Sequence, residues 1–197
     1  MTSSIPMFQV SQVSPRSFIF NHSVTDPMGL IDKINYSDFL GSWSRVNQDS
    51  DQCFDVKINH EKNNIYYKHV DFLEVDNTKN LYILNSLKMA FWSTTDMYCK
   101  AYSLRNNRSM SASIYKQDVS YIFDDIPTES ETFRAILFLN DSEKSSDFIV
   151  SESGFVGNIS PKMGSVLIMP PGSSYKTGHF HEGARYYAVY DFTADII

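Results

Sequence analysis

The sequence predicts an α+β protein that is mainly β, and three observations on its 197 residues support this. In the second half of the chain, apolar and polar residues alternate in seven short segments, which is typical of half-buried strands. Phe and Tyr are abundant, at 14 and 12 residues, and aromatic side chains favour the pleated surface of a sheet. One long segment of the first half instead repeats apolar residues every three or four positions, as a helix packed on a sheet does. A chain of this length can bury a substantial core, so we expect residues 1–197 to form a single domain.

The N-terminal segment is expected to form two short strands or one edge strand with a bend. Residues Met7 to Phe20 alternate between apolar and polar side chains, and Pro15 interrupts them. A short helix is predicted next, because Asp26 can cap a helix whose first position is Pro27. That helix should end at about Asn35.

A hairpin and a long helix are predicted in the next part of the chain. The alternating segments Cys53 to Ile58 and Ile65 to Val70 are separated by a polar stretch, which indicates a hairpin. The helix is predicted over Thr78 to Met97, with Asn77 or Thr78 as its cap. Its apolar positions at helical spacing are Leu81, Leu84, Leu87, Phe91 and Trp92.

Seven short strands are predicted after this helix, and such a series indicates a sandwich or barrel that the helices of the first half cover. The predicted strands are Tyr98 to Leu104, Ser111 to Val119, Phe133 to Leu139, Phe155 to Ile159, Ser165 to Met169, Tyr175 to Phe180, and Arg185 to Phe192.

Composition and charge exclude several classes of protein. The net charge of -6 argues against a nucleic-acid binder, which needs a surplus of Lys and Arg to neutralise phosphates. The sequence contains no apolar run of the roughly 20 residues that a membrane span needs, and its N-terminus lacks a secretory signal, so we expect a cytoplasmic or virion-borne protein. Cys53 and Cys99 are expected to be buried free thiols rather than a disulfide.

Three segments in the C-terminal part resemble the 2-oxoglutarate/Fe(II) oxygenases, in particular the prolyl-hydroxylase-like members common in tailed phages. They are Phe133 to Asp141 (FRAILFLND), Ile159 to Pro170 (ISPKMGSVLIMP) and Gly183 to Tyr187 (GARYY). The resemblance implies a double-stranded β-helix, which is a jelly roll of two facing sheets. On this basis the jelly-roll core is expected over residues 98–192, with N-terminal strands and support helices over residues 1–97.

The resemblance also implies an iron site of two histidines and one carboxylate, and the sequence departs from it. The window for the first histidine and the carboxylate holds no histidine: one register places Ser111 and Ser113 there, and another places Lys116 and Asp118. The position of the distal histidine, counted back from the expected 2-oxoglutarate-binding arginine, holds residues of the segment Ser174 to Thr177, among them Tyr175 and Lys176.

Arg185 stands where the resemblance places the cation that grips the distal carboxylate of 2-oxoglutarate, although an arginine there can equally pair with a buried acid. His179 and His181 lie close to it in sequence and are either turn residues or, for His179, a displaced metal ligand. The sequence's H-x-D pair, His69 and Asp71, precedes the long helix, where the resemblance does not place a ligand pair.

The lysines suggest what could replace the lost metal. If Lys116 and Lys176 project into the former metal cavity, their charges would substitute for the cation and pair with Asp118 or another acid.

The interpretation that follows is a catalytically degenerate, oxygenase-like jelly roll that needs no cofactor and serves as a structural or binding module. Its partners would be proteins, through self-assembly or virion assembly, with strand edges such as Phe8 to Val13 as pairing surfaces. One alternative is an active Fe(II)/2-oxoglutarate-dependent dioxygenase with a rearranged site that draws on His179 or His181, together with either Asp118 or the pair His69 and Asp71. A further alternative is a lectin- or capsid-type jelly roll that binds through exposed Tyr and Asn side chains.

Overall fold

The computed structural model describes residues 9–36, 40, 42–45, 65–73, 81–118, 126–128, 130–140, 148–177 and 184–197. These residues form three layers: two helices, a nine-stranded sheet and a four-stranded sheet. The helices are α1 (Pro27–Asn35) and α2 (Leu81–Ala101). The strands are β1 (Gln9–Gln12), β2 (Phe18–Asn21), β3 (Ser44–Arg45), β4 (Ile65–Asp71), β5 (Leu104–Asn107), β6 (Ser111–Asp118), β7 (Ile126–Pro127), β8 (Phe133–Phe138), β9 (Phe148–Glu152), β10 (Phe155–Ile159), β11 (Val166–Met169), β12 (Ser173–Thr177) and β13 (Ala184–Ile196).

Both sheets are antiparallel in every described pairing. The larger sheet runs in the order β1-β2-β11-β8-β13-β6-β4-β3, with β5 paired to the far end of β13. The smaller sheet runs in the order β10-β9-β12-β7. Many neighbouring strands, such as β2 and β11, are therefore distant in sequence, as in a jelly roll, and the predicted fold class is confirmed: a mainly β jelly roll with helices on one side.

Two hydrophobic cores lie on opposite faces of the larger sheet. Side chains alternate along a strand, so Ala188 and Tyr190 of β13 pack towards the helices, while Tyr187 and Val189 face the smaller sheet. The helix-side core contains most of the buried aromatic rings, including the stacked pair Phe91 and Tyr190, whose centroids are 5.0 Å apart. The second core fills the inter-sheet space, which is the space between the two sheets.

The N-terminal elements form as predicted. Strands β1 and β2 flank the bend that contains Pro15, and α1 starts at Pro27 with the Asp26 carboxylate accepting a hydrogen bond from the Gly29 amide at 3.0 Å. Strand β4 corresponds to the second arm of the predicted hairpin, and the first arm, Cys53 to Ile58, lies outside the described residues. None of the described helices is long and apolar enough to cross a membrane.

Two predictions in the second half need correction. The segment from Tyr98 is not a strand: α2 continues to Ala101, because Tyr98 and Cys99 extend its buried apolar face. Strand β9 was not predicted, because the carboxylate of Glu152 stands at a buried position and disguises the alternation that Phe148 begins. Cys99 is a buried free thiol, as expected, and burial raises its pKa to about 11; Cys53 lies outside the described residues.

Candidate functional site

Arg185 is a buried cation on the inner face of the larger sheet. It is the second residue of β13 and alternates with Tyr187 and Val189, both of which belong to the inter-sheet core. The side chain therefore faces the smaller sheet, with the residue only 6% exposed. Burial lowers the pKa of Arg185 below its usual value, with Tyr187 opposing the shift. Keeping a charge at this position is thus costly unless an anion compensates for the lost water.

Polar and aromatic side chains lie near this position on the inner face of the larger sheet. Gln117 of β6 is fully buried and stands directly opposite Arg185 in the strand register. Two residues further along each strand, on the same face, the rings of Tyr115 and Tyr187 stack with centroids 5.2 Å apart. In the smaller sheet, the buried Tyr175 stacks on Phe148 at 4.9 Å. Arg185 therefore lies at one end of an inter-sheet space that is lined by both aromatic and aliphatic side chains.

The backbone on both sides of Arg185 is held by one side chain, that of Asn140. Its amide nitrogen donates to the carbonyl of Ala184 at 2.7 Å, and its amide oxygen accepts from the backbone amide of Tyr186 at 2.8 Å. In a continued antiparallel ladder these two groups of β13 would pair with backbone groups, so the Asn140 side chain extends the support of β13 beyond the end of β8.

A second buried arginine, Arg134, lies at the other end of the inner face. Its Nε and Nη2 donate to the two carboxylate oxygens of Asp191 at 2.8 and 2.9 Å, a bidentate pair in which the Arg134 side chain is 3% exposed. Burial alone would lower the pKa of Arg134, but the hydrogen bonds and charge of Asp191 outweigh it and raise that pKa. Six residues of β13 separate Asp191 from Arg185, which is roughly 20 Å along the strand.

The buried carboxylate of Glu152 also lies towards the end of the sandwich that holds Arg134. It accepts hydrogen bonds from the hydroxyls of Ser14 and Ser17 and, at 3.1 Å, from the backbone amide of Arg16. Burial by itself would raise the pKa of Glu152, but these bonds outweigh it and lower that pKa. Through these hydrogen bonds the Glu152 carboxylate connects the bend between β1 and β2 to the smaller sheet.

The expectation that Lys116 and Lys176 project into the inter-sheet space does not hold. Lys116 pairs with Tyr66 and shares its face, and its Nζ lies 5.8 Å from the centre of the Tyr66 ring. This is the helix side of the sheet, because the next residue on that face is Ile114 of the helix-side core. Lys176 alternates with the inward-facing Tyr175, so its side chain points away from the inter-sheet space.

The predicted metal ligands are not brought together where the structure describes them. His69 pairs with Ser113 and Asp71 with Ser111, at the end of β6 remote from Asp118. Ser113 and Asp118 are five positions apart on β6, so the backbone positions of His69 and Asp118 lie about 16 Å apart along the strands.

The remaining candidate ligands lie beyond what the structure describes. His179 and His181 fall in the segment 178–183, outside the described residues. Among the described residues, no three His, Cys, Asp or Glu side chains form a group that could hold a metal ion.

In either register that the resemblance proposed, one or more ligand positions hold a side chain that does not suit iron, although Asp118 in one register is a carboxylate. Ser111, Ser113 and Lys116 lie on β6, an interior strand of the larger sheet, and neither a serine hydroxyl nor a protonated ammonium group is a ligand that Fe(II) favours. Arg185, by contrast, fits the carboxylate of a dicarboxylic acid, since a guanidinium presents two parallel donors to it.

Sequence reasoning singled out Arg185 but not the residues that contact its strand. Asn140 is the last residue but one of a segment that carried the resemblance, and Gln117 stands beside Lys116, yet neither was singled out. The period of two in the last predicted strand was a usable signal, because it places Arg185 and Asp191 on the same face of the sheet.

The fold is that of the 2-oxoglutarate/Fe(II) oxygenases. A prolyl hydroxylase from Trichoplax adhaerens, solved with a peptide fragment of the hypoxia-inducible factor oxygen degradation domain, has a TM-score of 0.68 at 9% identity; the match covers 91% of this chain and 84% of that one. A Pseudomonas putida prolyl-4-hydroxylase has a TM-score of 0.57 at 9% identity, with coverage of 90% and 92%.

A viral neighbour extends the likeness over almost the whole chain. The viral collagen prolyl hydroxylase of Paramecium bursaria chlorella virus 1, solved as a complex with 2-oxoglutarate, has a TM-score of 0.54 at 8% identity, with coverage of 93% and 98%. No protein-family model and no curated protein matches the sequence itself. Identities this low establish a shared fold.

Proposed function

We propose that this protein is a catalytically degenerate, oxygenase-like binding module that takes a small dicarboxylate of the 2-oxoglutarate class between its two sheets. The observation that supports this most directly is Arg185, a guanidinium buried on the inner face of the larger sheet. Two proteins of this fold have been solved with 2-oxoglutarate bound, HygX from Streptomyces hygroscopicus and the viral hydroxylase. The ligand class assigned to this chain follows from that fold and from the chemistry of Arg185.

The chain's own residues would bind the ligand in two ways. The Arg185 guanidinium would donate two hydrogen bonds to one carboxylate, and that negative charge would offset the desolvation that lowers the pKa of Arg185. The aromatic walls, including the stacked rings of Tyr115 and Tyr187, would exclude water and strengthen this ion pair.

Degeneracy is proposed because, in either register suggested by the resemblance, one or more ligand positions hold a residue that does not suit iron. Ser111 and Ser113, and in the other register Lys116, occupy an interior strand of the larger sheet. We therefore propose that binding of the dicarboxylate needs no metal ion.

The main alternative is an active Fe(II)/2-oxoglutarate-dependent dioxygenase. The fold shared with prolyl hydroxylases and the buried Arg185 favour it. Such an enzyme would draw ligands from residues outside those described, with His179 and His181 as the candidates by residue type.

Binding of 2-oxoglutarate with and without Fe(II) distinguishes the two functions. Calorimetry under anaerobic conditions would measure the dissociation constant of 2-oxoglutarate for the wild type and for Arg185→Met. We expect metal-independent binding that weakens by about 30-fold or more in Arg185→Met, because a buried charge pair contributes at least about 2 kcal/mol.

The other outcomes are equally specific. Binding that requires Fe(II) and produces the charge-transfer absorbance of an iron chelate would favour the dioxygenase and exclude the degenerate module. Absence of binding under both conditions would exclude both functions.

A role in assembly is a further part of the proposal, and the exposed strand edges support it. Strand β1 ends the larger sheet in the described structure, and all four of its residues are exposed; β10 ends the smaller sheet, with Phe155 and Val156 exposed. We propose self-association or association with other virion proteins, in the cytoplasm or in a virion. Light scattering at high concentration tests self-association, and a strictly monomeric protein would contradict that part.

A further inference from the structure

We infer that Asn140 is a positioning residue for Arg185: its side chain fixes the strand on both sides of the arginine and so sets where the guanidinium points. This inference rests on the proposed function for its consequence, since a positioned guanidinium matters most if it binds a carboxylate. The geometry itself is independent of any ligand.

The geometry is that of a clamp at two consecutive points. Asn140 bonds to the carbonyl of Ala184 and to the amide of Tyr186, at 2.7 and 2.8 Å, which are the residues before and after Arg185. The Leu139 amide adds a backbone bond to the carbonyl of Tyr186 at 3.0 Å. A strand residue bracketed in this way has little freedom to rotate, so the direction of its side chain is set by the backbone.

The clamp is needed because regular pairing has ended there. The described register of β8 with β13 begins at Phe138 opposite Tyr187, so backbone pairing alone leaves Ala184 and Arg185 beyond the end of β8. On the other side, β6 pairs with both residues, through Asp118 and Gln117. Asn140 therefore completes the support of β13 on the side that β8 no longer reaches.

A second contact fixes the same short stretch from the helix side. The Tyr186 hydroxyl accepts a hydrogen bond from the side chain of Asn35 at 3.3 Å, at the end of α1, and the Tyr186 ring lies 6.1 Å from that of Trp43. Tyr186 points towards the helices and Arg185 towards the smaller sheet, so the clamp separates two side chains that belong to different cores.

The test compares Asn140→Ala and Asn140→Asp with a matched control, Asn106→Ala. The aspartate keeps an acceptor for the Tyr186 amide and, when ionised, loses the donor to the Ala184 carbonyl. Asn106 also makes two side-chain hydrogen bonds, to Thr95 and Asp96 at 2.9 and 2.8 Å, remote from Arg185. The control therefore removes similar bonding without touching the clamp.

Two readouts are needed. The first is the hydrogen exchange of the Arg185 Nε–H group by nitrogen-15 NMR, its signal assigned from its loss in Arg185→Met. The second is the dissociation constant of 2-oxoglutarate. We expect this hydrogen to exchange faster in both Asn140 variants. We also expect both variants to bind 2-oxoglutarate about tenfold more weakly, because the free energy lost with one hydrogen bond is about that of a tenfold change in affinity. Asn106→Ala should leave both quantities unchanged.

Unchanged exchange in the Asn140 variants would overturn the inference, as would an equal effect of Asn106→Ala. If the alanine variant fails to fold, Asn140→Asp decides by the same two measurements. If the wild type binds no 2-oxoglutarate, the proposed function fails, while the Arg185 exchange rate still decides whether Asn140 positions the side chain.

Discussion

Each end of the inter-sheet space contains a buried arginine, and the pKa values of these two arginines are shifted in opposite directions. At one end Arg134 is locked to Asp191 by two short hydrogen bonds, which raise the pKa of Arg134; at the other, burial lowers the pKa of Arg185. The Arg134 end also contains Glu152, whose carboxylate accepts three hydrogen bonds from the β1–β2 bend. The comparison indicates that the Arg134 end contains charged groups held by several hydrogen bonds, whereas at the other end burial disfavours the charged form of Arg185.

Substituting the two arginines by methionine should separate these roles most strongly. Arg134→Met leaves the Asp191 carboxylate, 15% exposed, without its partner and should lower the free energy of unfolding by about 3 kcal/mol. Arg185→Met removes a cation whose charged form burial disfavours, so it should lower that free energy by less than Arg134→Met does. Urea denaturation of both variants and the wild type at pH 7 measures the difference.

The affinity for 2-oxoglutarate should rank the two variants in the opposite order. Arg185→Met should lose affinity for 2-oxoglutarate, while a folded Arg134→Met should keep most of it, since roughly 20 Å of strand separates the two ends. If the two variants were destabilised equally, the contrast between a structural and a functional arginine would be wrong.

The sequence predicts much of this contrast. What it does not predict is the register between strands that are distant in sequence. The alternation in the last strand predicts that Arg185 and Asp191 share a face, and the pattern around Pro27 predicts α1. The pairing of Asp191 with Arg134 depends on the register of two strands 57 positions apart, which no local pattern sets.

The same limit explains the lysines. Lys116 and Lys176 occupy suggestive positions in the sequence, but the parity of each position within its strand decides which face the side chain joins. A shift of one residue in the assumed alignment would move the side chain of either lysine from the face that points away from the inter-sheet space to the face that points into it. The orientation of a residue on a strand therefore follows from sequence only when an anchor of known direction, such as Tyr187, is available.

Acid should destabilise the end of the sandwich that contains Glu152 and Arg134 before it affects the end that contains Arg185. The pKa of Glu152 is lowered in the folded protein, so its hydrogen bonds stabilise the fold above the usual value of 4.5, and that stabilisation is lost as the pH falls through the lower folded value. Glu152→Gln should cost about 1 to 3 kcal/mol at pH 7 and should show a weaker dependence of stability on pH in the acid range.

Denaturation at several pH values between neutral and strongly acidic tests this expectation. A matched control is Asp195→Asn, because Asp195 also has a lowered pKa but lies exposed at the end of β13, bonded to Arg105 and Asn107. Screening by water makes that exposed contact weak, so the control should change the acid dependence much less. Equal slopes for the two variants would show that the Glu152 cluster contributes no more than a surface ion pair.

The smallest expected effect concerns the aromatic wall between the two ends. Tyr115→Leu removes the ring that stacks on Tyr187 at 5.2 Å with planes 15° apart, and such a stack contributes about 0.5 to 1.5 kcal/mol beyond the burial of its area. The free energy of unfolding should fall by about that amount, while the affinity for 2-oxoglutarate should change only a few-fold, because the wall excludes water without bonding the carboxylate. Tyr66→Leu, on the opposite face of the same sheet, serves as the control. A loss of affinity as large as that of Arg185→Met would mean that Tyr115 contacts the ligand directly, and the division into an anchoring cation and a surrounding wall would then be wrong.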